Sequence, residues 1–228
     1  MTLRILSAGA MKPGLTKVVG AFQRETAHQV KVKFATAPAI LREINSGEMT
    51  DVVIAPPNVL EQLVKSANIA TGARLTLGRI GVGVMVRDGA TLPHIATVDE
   101  FKNALLGAES VVYNQASTGT YLETLFDRLG IAAQLSVKTA RYPDFAAVLD
   151  HVSNGKGREV GLGATTVIIE NAGKGVQFAG ALPEEIQNYT AYESAVLTAC
   201  QSIKAAQEFI GYLILPKARR QLAAAGIE

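Results

Sequence analysis

The sequence predicts an α/β protein of two Rossmann-like lobes with mixed, mainly parallel sheets, joined by two crossing strands. Three observations predict it. Strand-like and helix-like segments alternate through the first third of the chain, the pattern of parallel strands with crossover helices. The extended segment Arg74 to Arg87, which contains LTLGRIGVGVMV, breaks that rhythm before it restarts. The chain closes on a strand and two helices that have no strand of their own to cover, which places them back on the first lobe. Its 228 residues suffice for two units of roughly 110 residues each.

In order, Leu3 to Ser7 reads as a strand that runs into the small residues Ser7-Ala8-Gly9-Ala10. Leu15, Val18, Val19 and Phe22 then share one helical face from about Pro13 to His28. Val30, Val32 and Phe34 alternate with lysines as a half-buried strand does. A helix through Ile40, Leu41 and Ile44 stops at Gly47, and Asp51 to Ala55 is a short strand buried on both faces. Asn58 is expected to cap a third helix.

Beyond the extended segment, Thr97 to Glu100 has capping-box spacing. Ser110 to Tyr113 is strand-like, and Ser117 to Thr120 leads into a helix closed by Gly130. Val137 marks a strand, Phe145 to Val152 a helix, and Val160 to Gly163 and Val176 to Ala179 strands around a short helix. Ala195 to Ala199 is the final strand. The expected lobes are 1–79 plus 194–228 and 80–193, with a ligand cleft between them.

Composition excludes several classes. A net charge of +2 with scattered Lys and Arg offers no basic patch for nucleic acid. The single cysteine, Cys200, forms no internal disulfide and reads as a small core residue. His28, His94 and His151 lie far apart and read as solvated, so no metal site and no cofactor is expected. No apolar stretch is long enough to span a membrane. No leader is recognisable, so the chain is cytoplasmic if Met1 is the native start and periplasmic if a leader has been removed.

Ligands of open α/β sheets bind at the carboxyl ends of the strands. The turns there are Gly9-Ala10-Met11, Thr36-Ala37, Asn114 to Thr120 and Gly161 to Thr166. Each precedes a helix whose first N–H groups and dipole favour an anion. Blander readings stand beside this one. Small residues at Ser7 to Ala10 can simply tighten a turn, and Thr36, Ser117 and Thr118 can be plain N-caps. Tyr192 can rim an interface, Asp51 can cap a turn, Arg141 and Tyr142 can lie at the surface, and Lys217 to Arg220 can be a solvated helix face.

The chain resembles the substrate-binding proteins of molybdate-type ABC transporters, which have the type 2 periplasmic-binding-protein fold. Ile40 to Ile44 followed by Gly47 to Ala55 is similar to that family's L-A-x-Q-I and G-A-x-A-D-[VL]-F-x-S-A. Ser117 to Leu125 resembles its P-A-G-x-Y-A-x-E-x-L, and Leu162 to Thr166 stands in the place of L-G-I-V-Y. The tail from Pro183 through Tyr192 to Ile227 keeps the family's spacing. The resemblance implies a ligand site formed by Gly9, Ala10, Met11, Thr36, Ala37, Ser117, Thr118, Gly119, Thr120, Thr165 and Tyr192, with no catalytic residue.

Ala10 stands where that family keeps a serine, and Thr36-Ala37-Pro38 offers only a shifted hydroxyl at its second serine. Two charge-assisted bonds at ~1.5–3 kcal/mol each amount to roughly two to four decades of affinity. The expected function is therefore a monomeric binding protein that closes two lobes over a small anion, either a molybdate-like oxyanion or a small carboxylate. Its partners would be that anion and, if the chain is exported, an ABC permease. An enzyme acting on a small carboxylic acid in the same cleft is the alternative, and a ligand-sensor module is a third.

Overall fold

The computed structural model describes residues 2–228, the side chains of residues 70–73 excepted. The chain divides into two compact units, Met1–Ile80 with Ala191–Glu228, and Gly81–Thr190.

In the first unit, β1 (Thr2–Ala8) leads through a 3-10 turn, Gly9–Met11, into α1 (Lys12–Thr26). Then follow β2 (Gln29–Ala35), α2 (Ala37–Asn45), β3 (Val52–Ala55), α3 (Pro57–Lys65) and β4 (Ile69–Ile80). The second unit holds β5 (Val82–Arg87), α4 (Val98–Gly107), β6 (Ser110–Asn114), α5 (Ser117–Arg128), α6 (Ala132–Ser136), β7 (Thr139–Tyr142) and α7 (Phe145–Asn154). It continues with β8 (Glu159–Ala164), α8 (Thr165–Asn171) and β9 (Val176–Ala181). The chain ends with β10 (Thr190–Leu197), α9 (Ile203–Leu213) and α10 (Pro216–Ala223).

The first sheet has the order β2-β1-β3-β10-β4. β1 runs parallel to β2 and β3, with Ile5 beside Val52 and Ser7 beside Ile54. β10 runs antiparallel to β3 and sets Glu193 opposite Ala55, so Tyr192 and Glu193 lie at the carboxyl ends of the parallel strands. Leu15, Val18, Val19 and Phe22 of α1 are buried as their spacing requires. Phe22 meets Phe209 and Tyr212 of α9 edge to face, with ring centroids 5.2 and 5.3 Å away.

The second sheet has the order β7-β6-β8-β5-β9, with β6 parallel to β7 and β8, and β5 antiparallel to β8 and β9. Its two faces carry separate cores. Val82, Val84, Val111 and Tyr113 pack with Phe101, Leu122 and Phe126, while Met85 and Val112 pack with Val148, Val152 and Ile168. Strand side chains alternate between faces, so helices on both sides are what this sequence requires.

Several local expectations need correction. Pro56, not Asn58, occupies the N-cap of α3, because Pro57 is pre-set for the first turn and draws the helix start forward. Val137 is no strand residue; it follows α6 and is 88% exposed, and β7 begins at Thr139. The final strand starts five residues before Ala195, and Cys200 lies in the turn after it, half-buried rather than in the core. Arg74 to Ile80, read as a connection, belongs to the long strand β4. Arg219, expected on a solvated face, donates to the carbonyls of Leu77 and Thr76 at 2.7 and 2.8 Å.

Two of the three histidines are half-buried and make specific contacts. His28 stacks on Phe22 and pairs with Glu208 at 2.6 Å. His151 bridges the Ser110 hydroxyl, 3.1 Å from Nε2, and the Tyr142 hydroxyl, 2.9 Å from Nδ1. Asp51 is 2% exposed and accepts from the amides of Arg4 and Gln201, the cap reading of this residue.

Candidate functional site

In the first unit the carboxyl ends of β1, β2 and β3 open into helix starts. Ala8 gives way to Gly9, whose φ is not positive and whose added β-carbon would meet nothing within 4 Å. Neither backbone conformation nor packing within this unit demands a glycine there, which weighs against the turn-tightening account. Met11 is fully buried and anchors the turn from below, so its side chain is core.

After β2, Thr36 sits at the N-cap of α2 in an extended conformation, and its hydroxyl makes no capping bond. The first intrahelical bond runs from Ile40 to Thr36 at 2.9 Å. Ala37 and Ala39 therefore supply the first-turn amides, since Pro38 has none.

Tyr192 of β10 is 5% exposed, and burial pushes its phenol up from the ordinary tyrosine value. Among the described residues its hydroxyl has no hydrogen-bond partner. One residue on, Glu193 faces Arg74 of β4 with 3.6 Å between Nη1 and Oε2. That Oε2 is buried and accepts no hydrogen bond. Sequence reasoning missed this pair, because the two residues are far apart in the chain and neither belongs to a motif.

In the second unit, α5 starts hard against the end of β6. Ala116 is the N-cap, which corrects the reading of Ser117 and Thr118 as N-caps; they are the first two helical residues. Thr120 makes the first intrahelical bond, to Ala116 at 3.1 Å, so the amides of Ser117, Thr118 and Gly119 lie ahead of it. The Ser117 and Thr118 hydroxyls stand half-buried beside them and make no hydrogen bond among the described residues. The exposed Thr120 hydroxyl turns back towards its own helix, to Ala116 at 3.5 Å. Asn114 Oδ1 accepts from the Ala116 amide at 3.3 Å and fixes the loop.

The turn after β8 is less open than its glycines suggested. Gly161 and Gly163 lie inside the strand, where β-carbons would collide with Met85 and with the Phe145 ring at 2.5 and 2.1 Å. They let α7 approach the sheet. The Thr165 amide donates to the Gly81 carbonyl at 3.0 Å, so it is committed to the sheet.

Gln187 is a second residue that sequence reasoning missed. Its side-chain amide accepts from the Val82 N–H at 2.8 Å and donates to the Val82 carbonyl at 3.0 Å, as a neighbouring strand would. The Tyr121 hydroxyl donates to the Ile186 carbonyl at 2.6 Å and secures the same segment to α5.

Arg141 is paired with Glu123 at 2.6 Å and lies over the Tyr113 ring. Burial raises the Cys200 thiol above its ordinary value, which disfavours the thiolate a nucleophile needs. Among the described residues no three His, Cys, Asp or Glu side chains converge to hold a metal, and no helix is long and apolar enough to cross a membrane. Each unit thus presents neutral donors at its strand ends, and the first adds a guanidinium. That chemistry suits recognition of an anion.

Comparison with known proteins identifies the family and the fold. The sequence model of a family described as bacterial extracellular solute-binding protein matches residues 3–228. An aconitate isomerase of Pseudomonas sp. is 30% identical over 237 residues, spanning 100% of this chain and 87% of that protein. Among solved structures, the periplasmic molybdate-binding protein of Azotobacter vinelandii superposes with a TM-score of 0.83 at 18% identity, covering 99% of this chain and 98% of that one. The sulfate-binding protein SubI of Mycobacterium tuberculosis H37Rv gives 0.80 at 17% identity, covering 100% and 86%. The two structural likenesses establish a shared periplasmic-binding-protein fold.

Proposed function

Because the chain belongs to the bacterial extracellular solute-binding protein family, we propose that it binds a small carboxylate, with di- and tricarboxylic acids as the ligand class. One observation carries the ligand class: a relative matched along the whole chain is named for a reaction of aconitate, a tricarboxylate. The strand-end turns support it. Ala10 lacks the hydroxyl that the resembled oxyanion binders present, while Thr36, Ser117, Thr118 and Tyr192 offer hydroxyls that make no hydrogen bond among the described residues. A flat carboxylate with several oxygens uses a spread of such donors better than a compact tetrahedral ion does. In this reading Ser117, Thr118 and Gly119 at the α5 N-terminus are the donors of the second unit, and Gly9, Ala37 and Tyr192 those of the first.

Calorimetric titration with cis-aconitate, trans-aconitate, citrate, molybdate and sulfate tests the proposal. Micromolar binding of a tricarboxylate with none of the inorganic ions is the expected result. Tight molybdate or sulfate binding would replace this reading by the oxyanion one. If the binding serves transport, an ABC permease is the partner.

The relative's name also favours a second reading, in which the bound carboxylate is isomerised. Interconverting cis and trans alkenes requires the double bond to be opened. Removing a proton from the methylene next to it gives an allylic carbanion that the carboxylates delocalise, and reprotonation closes the double bond again. Burial keeps the Tyr192 phenol protonated at neutral pH, so it can donate the proton that closes the double bond. Following the vinyl proton signals of cis-aconitate by NMR at catalytic protein concentrations decides between the readings: no conversion leaves a binding protein.

A further inference from the structure

We propose that Arg74 is the cationic anchor for a ligand carboxylate and that Glu193 holds it poised for that role; the inference rests on the carboxylate reading above and deepens it. The two residues sit where β4 and β10 run side by side, and Glu193 lies opposite Ala55 at the carboxyl end of β3. This is the end of the sheet from which Gly9 and Thr36 also emerge. Ser194, fully buried, donates to the Leu75 carbonyl at 3.5 Å and ties the two strands together beside the pair.

The geometry of the pair is incomplete. A charge-assisted bond between guanidinium and carboxylate is about 2.7–2.9 Å long, and here the gap is 3.6 Å. Glu193 Oε2 is out of contact with solvent and accepts no hydrogen bond. Arg74 makes no hydrogen bond among the described residues; the residue as a whole is exposed and its side chain is 28% exposed, so its guanidinium is within reach of a ligand. Two other arginines show the contrast. Both terminal nitrogens of Arg219 serve strand carbonyls, and Arg141 is 2.6 Å from its carboxylate.

A buried carboxylate oxygen that accepts no hydrogen bond, such as Glu193 Oε2, is costly to a fold, and such groups gather at binding sites. A guanidinium has five donors in a planar fork. Arg74 can therefore grip a ligand carboxylate through two of them while Glu193 remains nearby. Glu193 competes with the ligand for the same cation, so only a ligand with enough negative charge displaces it. That arrangement selects polycarboxylates over monocarboxylates.

The test compares wild type, R74Q, R74K and E193Q by calorimetric titration with cis-aconitate, tricarballylate and acetate, with thermal melting as the check of folding. R74Q is expected to lose about 10- to 100-fold in affinity for the tricarboxylates, and R74K to recover only part because a point charge lacks the fork. E193Q is expected to bind several-fold more tightly and to discriminate less against acetate. A purely structural ion pair would instead make both R74Q and E193Q weaker. If wild type and folded R74Q bind tricarboxylates equally, the inference fails while the carboxylate reading stands. If wild type binds no carboxylate, both fail. Should R74Q not fold, E193Q decides: tighter binding supports the inference and weaker binding overturns it.

Discussion

A β-carbon on Gly119 would lie 1.9 Å from the carbonyl oxygen of Asn114. The first turn of α5 is therefore pressed onto the end of β6, which is what holds the amides of Ser117 and Thr118 in place. Gly119→Ala must lever the helix off the strand, an overpacking expected to cost about 1–3 kcal/mol, and should weaken ligand binding as the amides shift. Gly9→Ala is the matched control, since the new methyl meets nothing within 4 Å in its unit; its stability should stay within about 0.5 kcal/mol of wild type. Urea denaturation of both variants checks this, and equal losses would refute the close-approach account.

Tyr192→Phe separates binding from folding. The hydroxyl has no partner among the described residues, so its removal should leave the melting temperature at neutral pH unchanged or slightly raised. Affinity should fall about 10-fold or more if the phenol donates to a charged ligand. Titration calorimetry beside thermal melting reads both quantities.

The same residue sets an alkaline limit. Burial raises the phenol of Tyr192 above its ordinary value of 10.0, so the folded state favours the protonated form. Its contribution is intact below pH 10 and is lost as pH rises beyond that, because the unfolded chain then releases the proton first. Tyr192→Phe should therefore flatten the fall in stability above pH 10 by up to about 1.4 kcal/mol per pH unit. Parallel curves for the two proteins between pH 9 and 12 would contradict this.

Asp51 lies at the opposite end of the first sheet from the candidate donors. It accepts from the amides of Arg4 and Gln201 at 2.8 and 3.1 Å. Replacing it by alanine leaves two amides without their acceptor and should cost about 2–4 kcal/mol. Ligand affinity should be unaltered wherever the variant is folded, as measured by denaturation and titration on one preparation.

Gln187→Ala offers the equivalent test in the second unit. Val82 is 1% exposed; its N–H donates to the Gln187 amide oxygen, and its carbonyl accepts from the Gln187 amide as well as from the Leu182 N–H. The expected loss is about 1–3 kcal/mol. Hydrogen exchange should show the Val82 amide losing protection while α7 amides keep theirs.

The alternation of strands and helices was legible because burial imposes periods of two and of 3.6 on the chain: Val30-Val32-Phe34 and Leu15-Val18-Val19-Phe22 carry their faces openly. The Thr97 capping box was legible too, because its two hydrogen bonds join residues three apart. Long-range pairings were not. Arg219 reaching the carbonyls of β4, His151 between Ser110 and Tyr142, and Arg74 beside Glu193 each join residues that no local period connects. Gly161 and Gly163 misled for a different reason. A glycine that admits a ligand and a glycine that admits a neighbouring helix look alike until the Phe145 ring is found against it.

The space before Gly9 has a bearing on how such a protein changes its diet. At Gly119, Gly161 and Gly163 a new side chain is opposed by atoms already in place. At Gly9 nothing in its own unit resists one, so a methyl or a hydroxymethyl can be tried there without remaking the core. If the proposed site is right, ligand preference at this turn can drift by single substitutions while the scaffold beneath it stays untaxed, and a lineage can pass between mineral and organic anions without an unfolded intermediate generation.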